Sequence, residues 1–560
     1  MSRPPRASSA PEHNRRRRAK SALPGKGRMQ PIFSKERGPF AVKSLTCLCL
    51  LCAASSLSAA NLVVSTTADS GPGSLRAAIV QANSTSESDT ISFAIPSSDP
   101  GYQSASQHWR IDVSSAALPA ISEALVIDGY TQPGAVPNSN TPDQGGSNAQ
   151  LKIELRNTTG MAIIGIDGLS NTFMLPLVVR GLAIHSFFAQ IQLGGGAEQR
   201  VEGCFLGTTI DGNADANPAN LGQTGVRVQG SGPYRIGGTT PDARNVLSAD
   251  AYGVAFFAVS NGTRIEGNLI GTNAAGAAAI SPRAIGISLN ASTQVRIGGA
   301  DSSARNVISG NGFWALQASD ASATTRFQGN FVGTDWSGAR AIPNGLNPFS
   351  PSQLLENIRL DGAQCALQLG GVLPGESNVI AYSPVAGVRI DSCTNAAHRN
   401  RFIGNGAIAL DNVSGGGALG PTPNDPGDPD LGGNGLQNYP RLTLPPGFLP
   451  GGGNAVTLTY DVDSLPANST YPLTIEFYRG ACGGGSSGVL LGSDSYEVAD
   501  AGLPKSLTLA TADGSSLLPL LAVAVDATGR VSEFSPMLGD LISDHGFEDA
   551  SSPLPPGRCR

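Results

Sequence analysis

Charged residues are scarce in this chain, and lysine is the scarcest of them. Only 14% of its 560 residues are Asp, Glu, Lys or Arg, which is too few for a solvated, charge-rich disordered segment. After residue 60 only Lys152 and Lys505 remain, so a lysine-based active site has almost no candidates there. Aromatic residues are also few, at 6%. Glycine is abundant, but no G-X-Y period is present, which excludes collagen. This composition indicates a turn-dense β protein.

Long hydrophobic runs are absent after residue 60, where none reaches the roughly 18 residues of a membrane span. The leader, residues 1–60, holds 12 basic and 2 acidic residues. In it Lys43 precedes the apolar run Leu45–Leu57, and small residues follow up to Ala60. This pattern predicts a secretory signal peptide with a long basic n-region, cleaved after Ala60, with Met29 as an alternative start. A membrane anchor is the other interpretation, and the run is short for it.

The charge balance after the leader limits the possible partners. From residue 61 onward the chain has 25 basic and 41 acidic residues, a net charge of −16. Proteins that bind nucleic acid neutralise phosphates with cations, and anionic membrane surfaces also attract cations. We therefore expect no nucleic-acid partner, no transmembrane segment in the mature chain, and a protein that is secreted or held at the cell surface.

Eight cysteines are present, and five of them follow the leader. An odd number leaves at least one thiol unpaired or bonded to another molecule. Cys365 and Cys393 are 28 residues apart, about one coil of a solenoid, and we predict that they pair. Cys482 with Cys559 is a second candidate pair. No cysteine or histidine cluster has the spacing of a zinc site.

Internal repeats give the main evidence for the fold. The phrase Gly-x-x-x-Gly-Thr begins at Gly203, Gly267 and Gly329. A second phrase, Arg-Ile-Gly-Gly, begins at Arg235 and Arg296. The spacings define a unit of about 62 residues within 201–400, in which short β-branched runs alternate with Gly and Asn turns. Three coils of about 20 residues would fill each unit, which predicts a right-handed parallel β-helix. A propeller or a β-sandwich array are the alternatives, and a propeller blade needs four longer strands.

The two ends of the repeat region carry different patterns. Ser74 is a suitable N-cap for a short helix whose apolar face would cover the open end of the solenoid. From Ala455 longer alternating strands predict a small antiparallel β-sandwich. The predicted organisation is all-β: a signal peptide at 1–60, an N-terminal cap and parallel β-helix at 61–420, a Gly/Pro/Asp-rich linker at 421–450, an Ig-like sandwich at 451–537, and a polar tail at 538–560.

Several phrases together resemble exported bacterial right-handed β-helix repeat proteins. They are 69–79 with 89–93, 127–134, the Gly-Asn-x-x-Gly-Thr repeats, 434–440 and 531–535. The resemblance covers roughly residues 61–537. It implies a pectate-lyase-like solenoid with an Ig-like module, exported to the surface or medium, and implies no established activity. The segment 542–548 looks like a terminal motif of some proteobacterial secreted proteins.

Cleavage of polysaccharide is one functional hypothesis, because many β-helix enzymes are lyases or glycosidases. A hydrolase needs paired carboxylates, and the Asn-Thr-Asp, Asp-Asp and Gly-His-Gly phrases of polygalacturonases are absent. The base of a lyase would have to be an arginine such as Arg264, Arg296 or Arg326, but their repeat-related positions favour a structural role. Two or more acidic residues and an arginine converging on a groove of one wall would favour an enzyme.

Two further groups of polar residues stand out. Asp425, Asp428, Asp430 and Asn434 supply oxygen ligands of the kind calcium prefers, although two prolines restrict the segment and the spacing departs from a DxDxDG loop. A rigid linker is the other interpretation. The second group consists of asparagines at equivalent repeat positions, which we expect to form structural amide ladders: Asn245, Asn306 and Asn378, and separately Asn268 and Asn330.

These patterns assign no catalytic, cofactor-binding or metal-binding residue, since the four histidines after the leader are scattered along the sequence. The first hypothesis is an exported, non-enzymatic β-helix scaffold or binding protein that engages extracellular glycan or a surface partner. The alternative is a polysaccharide lyase or glycoside hydrolase that acts on acidic polysaccharide. No cofactor is expected, apart from calcium at the acidic segment.

Overall fold

The computed structural model describes residues 59–538, apart from short internal segments. These segments are 170–175, 196–197, 217–222, 258–261, 321–323, 363–364, 395–396, 415–416, 418, 446–454, 481–485 and 512–516. The predicted signal peptide (except Ala59 and Ala60), the polar tail after Leu538, and the candidate pair Cys482–Cys559 lie outside the described residues.

Three long sheets, here called walls, form a parallel β-helix within the described residues. Their described strand pairs are parallel, except that Tyr102–Gln103 runs antiparallel to His108–Val113. Wall 1 consists of Asn61–Val64, Asp89–Phe93, Leu125–Asp128, Leu177–Arg180, Gln199–Glu202, Tyr234–Gly237, Arg264–Glu266, Arg296–Gly298, Arg326–Gln328 and Gln368–Leu369. Wall 2 consists of Tyr102–Gln103, His108–Val113, Ile153–Asn157, Leu182–His185, Phe205–Leu206, Val246–Leu247, Leu269–Ile270, Val307–Ile308, Phe331–Val332, Val379–Ala381 and Arg401–Ile403. Wall 3 consists of Ile164–Asp167, Ala189–Leu193, Thr224–Val228, Tyr252–Phe256, Ile285–Asn290, Leu316–Ser319, Ile358–Asp361, Ala386–Ile390 and Ile408–Asn412.

The register shows that one coil takes about 30 residues, not the predicted 20. Arg235 pairs with Arg264, Arg264 with Arg296 and Arg296 with Arg326, each time in parallel on wall 1. The repeat of about 62 residues therefore spans two coils. This parallel pairing also excludes the propeller and the sandwich array.

The repeat is doubled because long and short connections alternate at the corner between walls 2 and 3. Long connections run through 207–223, 271–284 and 333–357, and each begins with the Gly-Thr of the repeated phrase. Each closes on itself through an antiparallel bridge, such as Thr272 to Ala279. The connections of the intervening coils, such as 248–251, are short. The prediction of a third coil per unit was wrong. The long connections contain turns and short bridges, and in the sequence these resemble a further strand of a coil.

Asparagines join six successive coils at the corner between walls 1 and 2. The Nδ2 of each donates to the Oδ1 of the next at 2.8–3.2 Å, in the order Asn245, Asn268, Asn306, Asn330, Asn378 and Asn400. All six are buried. The predicted amide ladders exist, but the two predicted sets are alternate rungs of one ladder. Cys204 occupies the position before the first rung, where its N–H donates to Asn245 Oδ1 at 2.8 Å.

A short helix, Leu75–Ala82, packs at the beginning of the solenoid. Ser74 caps it as predicted, its hydroxyl oxygen accepting the N–H of Ala77 at 3.2 Å. Its apolar face, including Leu75 and Ile79, is buried in the same core as the first strands. Six short 3-10 helices lie in the described connections: Gly129–Thr131, Pro142–Gln144, Pro241–Ala243, Ser302–Ala304, Gly433–Leu436 and Val498–Asp500.

Two small antiparallel sheets follow the solenoid. One contains Arg441–Thr443, Ala455–Asp461 and Lys505–Ala510. The other contains Val489–Tyr496, Leu473–Arg479 and Leu520–Val525. Their facing side chains share one core, in which the rings of Tyr460 and Phe477 lie 5.3 Å apart. The strand Arg441–Thr443 falls within the range predicted as a linker.

The opposite face of the second small sheet covers the end of the solenoid. Tyr478, Leu521 and Val523 belong to the solenoid core rather than to the core between the small sheets. Phe534 lies edge-on to both Phe402 and Tyr478, at 5.8 and 5.4 Å. The last coil is therefore closed by a sheet, just as the first is closed by a helix.

Candidate functional site

Five arginines form a straight row on the outer face of wall 1, which we call the arginine row: Arg200, Arg235, Arg264, Arg296 and Arg326. Strand pairing places each beside the next on consecutive coils. Neighbouring strands lie about 4.8 Å apart, so the row presents guanidinium groups at that interval. Arg264, Arg296 and Arg326 occupy repeat-related positions in the sequence, and the structure shows that they align.

The arginine row has little acidic compensation. Glu198 contacts Arg200 at 3.2 Å and Arg235 at 3.6 Å. In the described part of the chain, the exposed Arg264, Arg296 and Arg326 are in no ion pair within 4.0 Å. The row is thus a strip of positive charge on a chain whose net charge after the leader is −16.

A second cluster, on wall 3, brings three acidic residues and an arginine together. Arg359 lies among three carboxylates, at 3.3 Å from Glu356, 3.4 Å from Asp361 and 2.6 Å from Asp391. Arg389, on the same coil as Asp391, contacts it at 2.9 Å. Burial lowers the pKa of Arg359, but Asp391 and Glu356 outweigh that effect and raise it, so the guanidinium stays charged. Coil register brings Asp391 to Arg359, and the sequence alone did not supply that register.

Aromatic side chains border this wall 3 cluster. Trp314 donates its indole N–H to Glu356 at 3.0 Å, and the guanidinium of Arg359 lies 5.8 Å from the Trp314 ring. Phe313 lies 6.1 Å from Trp314 and 6.2 Å from Phe349, which is 65% exposed. An aromatic strip thus runs from solvent to the charged groups.

Wall 2 carries a buried histidine–carboxylate cluster that the sequence analysis missed. Glu154 bonds His108 at 2.8 Å, His185 at 2.9 Å and Arg110 at 2.8 Å. Burial alone would raise the pKa of Glu154, but the bonds from His108, His185 and Arg110 hold this pKa well below its usual range. Two histidines that are far apart in sequence meet because they lie on nearby coils, so the interpretation of the histidines as scattered was wrong for this pair. Each imidazole already bonds the carboxylate, which makes the cluster a structural link between strands.

The acidic segment folds into a compact group. One carboxylate oxygen from each of Asp425, Asp428 and Asp430 lies within 4.8 Å of the others. Asp428 is buried and accepts bonds from four protein donors, including Ser464 and Ser469. Burial and the two neighbouring carboxylates raise the pKa of Asp430 to about 6.

The fourth predicted ligand of the acidic segment is engaged elsewhere. Asn434 donates to the Asn412 side chain at 3.2 Å and to the carbonyl of Val531 at 3.0 Å. Asn434 therefore links the last coil to the small sheets. Calcium at the three aspartates stays a prediction.

No helix in the described part of the chain is long and apolar enough to cross a membrane.

Few known proteins resemble this chain. No family model and no curated protein matches the chain. Among solved structures, the A-module of the Azotobacter vinelandii mannuronan C-5 epimerase AlgE6 matches with 11% sequence identity and a TM-score of 0.22, covering 63% of this chain and 98% of that one. So low a TM-score carries no argument, and the parallel β-helix rests on the strand pairing.

Proposed function

We propose that this chain is an exported β-helix protein that binds linear acidic polysaccharide along the arginine row. The observation that carries the proposal is the in-register alignment of five arginines on consecutive coils of wall 1. A polymer with one carboxylate on each sugar presents anions at regular intervals. Planar guanidinium groups suit carboxylates because they can donate two parallel hydrogen bonds.

Export rests on the leader and on the disulfide. Basic residues followed by an apolar run and small residues up to Ala60 are typical of a secretory signal peptide. Cys365 and Cys393 form the predicted disulfide between neighbouring coils, and disulfides persist in oxidising compartments. A secreted or surface location would put wall 1 in contact with extracellular glycan. We also propose that the two small sheets form the Ig-like module.

Nucleic acid is the competing polyanion, and the overall charge argues against it. A net charge of −16 after the leader opposes the approach of a duplex, whereas a single polysaccharide chain can follow one row of charges. Attraction of this kind weakens as salt rises, because exposed charges are screened.

The test compares two triple variants with equal changes in charge. Arg264→Gln, Arg296→Gln and Arg326→Gln together remove the centre of the row. The control triple variant, Arg340→Gln, Arg401→Gln and Arg441→Gln, removes exposed arginines outside it.

Binding of polygalacturonate, alginate and neutral dextran is measured by calorimetry at low and physiological salt. We expect the row variant to bind the acidic polymers about tenfold more weakly, since exposed ion pairs contribute roughly 0.2–1 kcal/mol each. Equal loss in both triple variants, or tighter binding of duplex DNA than of either uronate polymer, would overturn the proposal.

Cleavage of polysaccharide is the second candidate function. The observation that favours it is the convergence of Glu356, Asp361 and Asp391 on Arg359. The assay follows new reducing ends and unsaturated-product absorbance on the same polymers, with and without calcium. Activity that survives repurification and is lost in Asp361→Asn would establish an enzyme, and no cleavage across the panel would leave the binding function.

A further inference from the structure

We infer that the wall 3 cluster and its aromatic strip form a binding site for a neutral sugar ring. The site is separate from the arginine row, and the inference does not rest on the proposed function of that row. It combines the two features that sugar recognition requires, which are an apolar platform for the face of a pyranose and charged hydrogen-bonding groups at its edge.

The platform is the aromatic strip. Phe313, Trp314 and Phe349 form a chain of ring contacts with centroid distances of 6.1 and 6.2 Å. Phe349 is 65% exposed, and Phe313 and Trp314 are half-buried. Exposed aromatic rings in a contiguous group mark surfaces that are covered by a partner. The C–H face of a pyranose has the size and the apolar character to cover one such ring.

The polar edge comes from the groups behind Trp314. The side chains of Asp361 and Asp391 are 28% and 14% exposed, and that of Arg359 is 29% exposed. Carboxylates accept hydrogen bonds from sugar hydroxyls, and the guanidinium donates to ring or hydroxyl oxygens. The exposed groups can therefore satisfy both donors and acceptors of a sugar.

Charge selects a neutral sugar over an acidic one. Three carboxylates (Glu356, Asp361 and Asp391) face two guanidinium groups (Arg359 and Arg389) in this cluster. The excess negative charge repels a uronate, whereas hydroxyl groups carry no such penalty. The net charge of the cluster is opposite in sign to that of the arginine row, so the two surfaces would bind different sugars.

The loop that carries Phe349 is anchored at its base, so the platform is held in place. Asn344, within the long connection 333–357, accepts the Asn311 amide at 2.9 Å and donates to Asn357 at 3.0 Å. A bridge between Leu346 and Leu354 closes the two sides of the loop above that base. Of the long connections, only this one lies beside the wall 3 cluster among the described contacts.

The experiment uses the protein from residue 61 onward, with cello-, xylo- and galacto-oligosaccharides and oligogalacturonate as probes. The chain has three tryptophans, of which Trp109 is buried, so Trp314 and Trp336 are the candidate fluorescence reporters. We expect a neutral oligosaccharide to shift the emission of the wild type. Phe349→Ala should bind that sugar about five- to tenfold more weakly, as expected for loss of one aromatic contact.

Phe257→Ala is the matched control, because Phe257 is also an exposed phenylalanine (44%) beside an arginine, at the end of another wall 3 strand. Trp314→Phe should remove the emission shift while calorimetry still detects binding. Absence of binding by any neutral oligosaccharide would overturn the inference, as would tighter binding of oligogalacturonate that depends on Phe349. Equal weakening in Phe257→Ala would overturn it as well. Arginine-row variants bind the neutral sugar unchanged if the two sites are separate.

Discussion

Single buried asparagines satisfy the backbone groups left without strand partners at the tight corner between walls 1 and 2. Asn306 Nδ2 donates to the carbonyl of Ile265 at 2.8 Å, and its Oδ1 accepts the backbone N–H of Asn268 at 3.0 Å. A buried polar group without a partner is costly, so the neighbours of each asparagine depend on it for their hydrogen bonds. These backbone groups therefore determine which side chain is allowed at this corner.

Asn306→Ala should destabilise the solenoid by about 3 kcal/mol. The substitution removes the acceptor of Asn268 and the donor to Ile265, and each unsatisfied buried group costs roughly 1–3 kcal/mol. Thermal unfolding measures the loss as a lower Tm. Asn290→Ala, at an exposed position, should leave Tm unchanged. A Tm of Asn306→Ala equal to that of the wild type would refute the structural role of the ladder.

At the level of elements, the coil is the unit of stability and the loops vary around it. Each strand of the solenoid is only two to six residues long and obtains its hydrogen bonds from neighbouring coils, as in other repeat proteins. The inward residues of all three walls share one core. The disulfide between Cys365 and Cys393 adds a covalent link between the coils that hold Ile358–Asp361 and Ala386–Ile390.

Removing this disulfide should lower the stability of the coils that it joins. The loop it closes has a sequence separation of 28, which corresponds to about 3–4 kcal/mol in the chain-entropy account. We expect the double variant Cys365→Ser, Cys393→Ser to melt at a lower temperature than the wild type. A reducing agent should lower the wild-type Tm to that of the variant and leave the variant unchanged. A wild-type Tm that is insensitive to reduction would contradict this.

Across the whole molecule, one apolar core extends from the N-terminal helix through the solenoid to the small sheets. Glu533, which is 2% exposed, joins the last coil to the small sheets. Its carboxylate accepts the backbone N–H of Asn412 at 2.9 Å and of Thr422 at 2.7 Å. Burial and nearby Asp411 raise the pKa of Glu533 to about 7, although the two N–H bonds oppose them.

The junction should therefore weaken as pH rises. An acid whose folded-state pKa is raised binds its proton more tightly when folded, so stability is highest below its unfolded pKa of about 4.5 and falls until pH passes about 7. We expect the Tm of the wild type to fall between about pH 4.5 and 7.5 and to level off above that range. The expected contribution of this group is about 3 kcal/mol.

Glu533→Gln tests this assignment because glutamine has the same size and does not titrate. Its Tm should change less with pH than that of the wild type, although it starts lower because one N–H loses its acceptor. The partly exposed Glu87→Gln should follow the wild type. Parallel pH profiles of the wild type and Glu533→Gln would show that another group controls the junction.

Repetition made much of the architecture predictable. Residues at equivalent positions were visible as the Gly-Asn and Arg-Ile phrases, and Ser74 with its apolar partners was recognisable as a capped helix. Coil length was not predictable, because loops such as 271–284 contain residues typical of strands and turns. The wall 3 cluster could not be anticipated for the same reason: Arg359 and Asp391 are brought together by register, and without the coil length no register can be assigned.

Short strands, stacked coils and asparagines paired along a corner were all predictable from the amino-acid sequence. These properties follow from local periodicity, because each coil repeats the pattern of its neighbours. The residues that meet across coils, and the elements that close the two ends, became visible in the folded structure. The meeting of His108 with His185 on Glu154 depends on that register, and the closing sheet depends on an apolar outer face that includes Leu521 and Val523. Contacts of this kind depend on distances in space that no local pattern encodes.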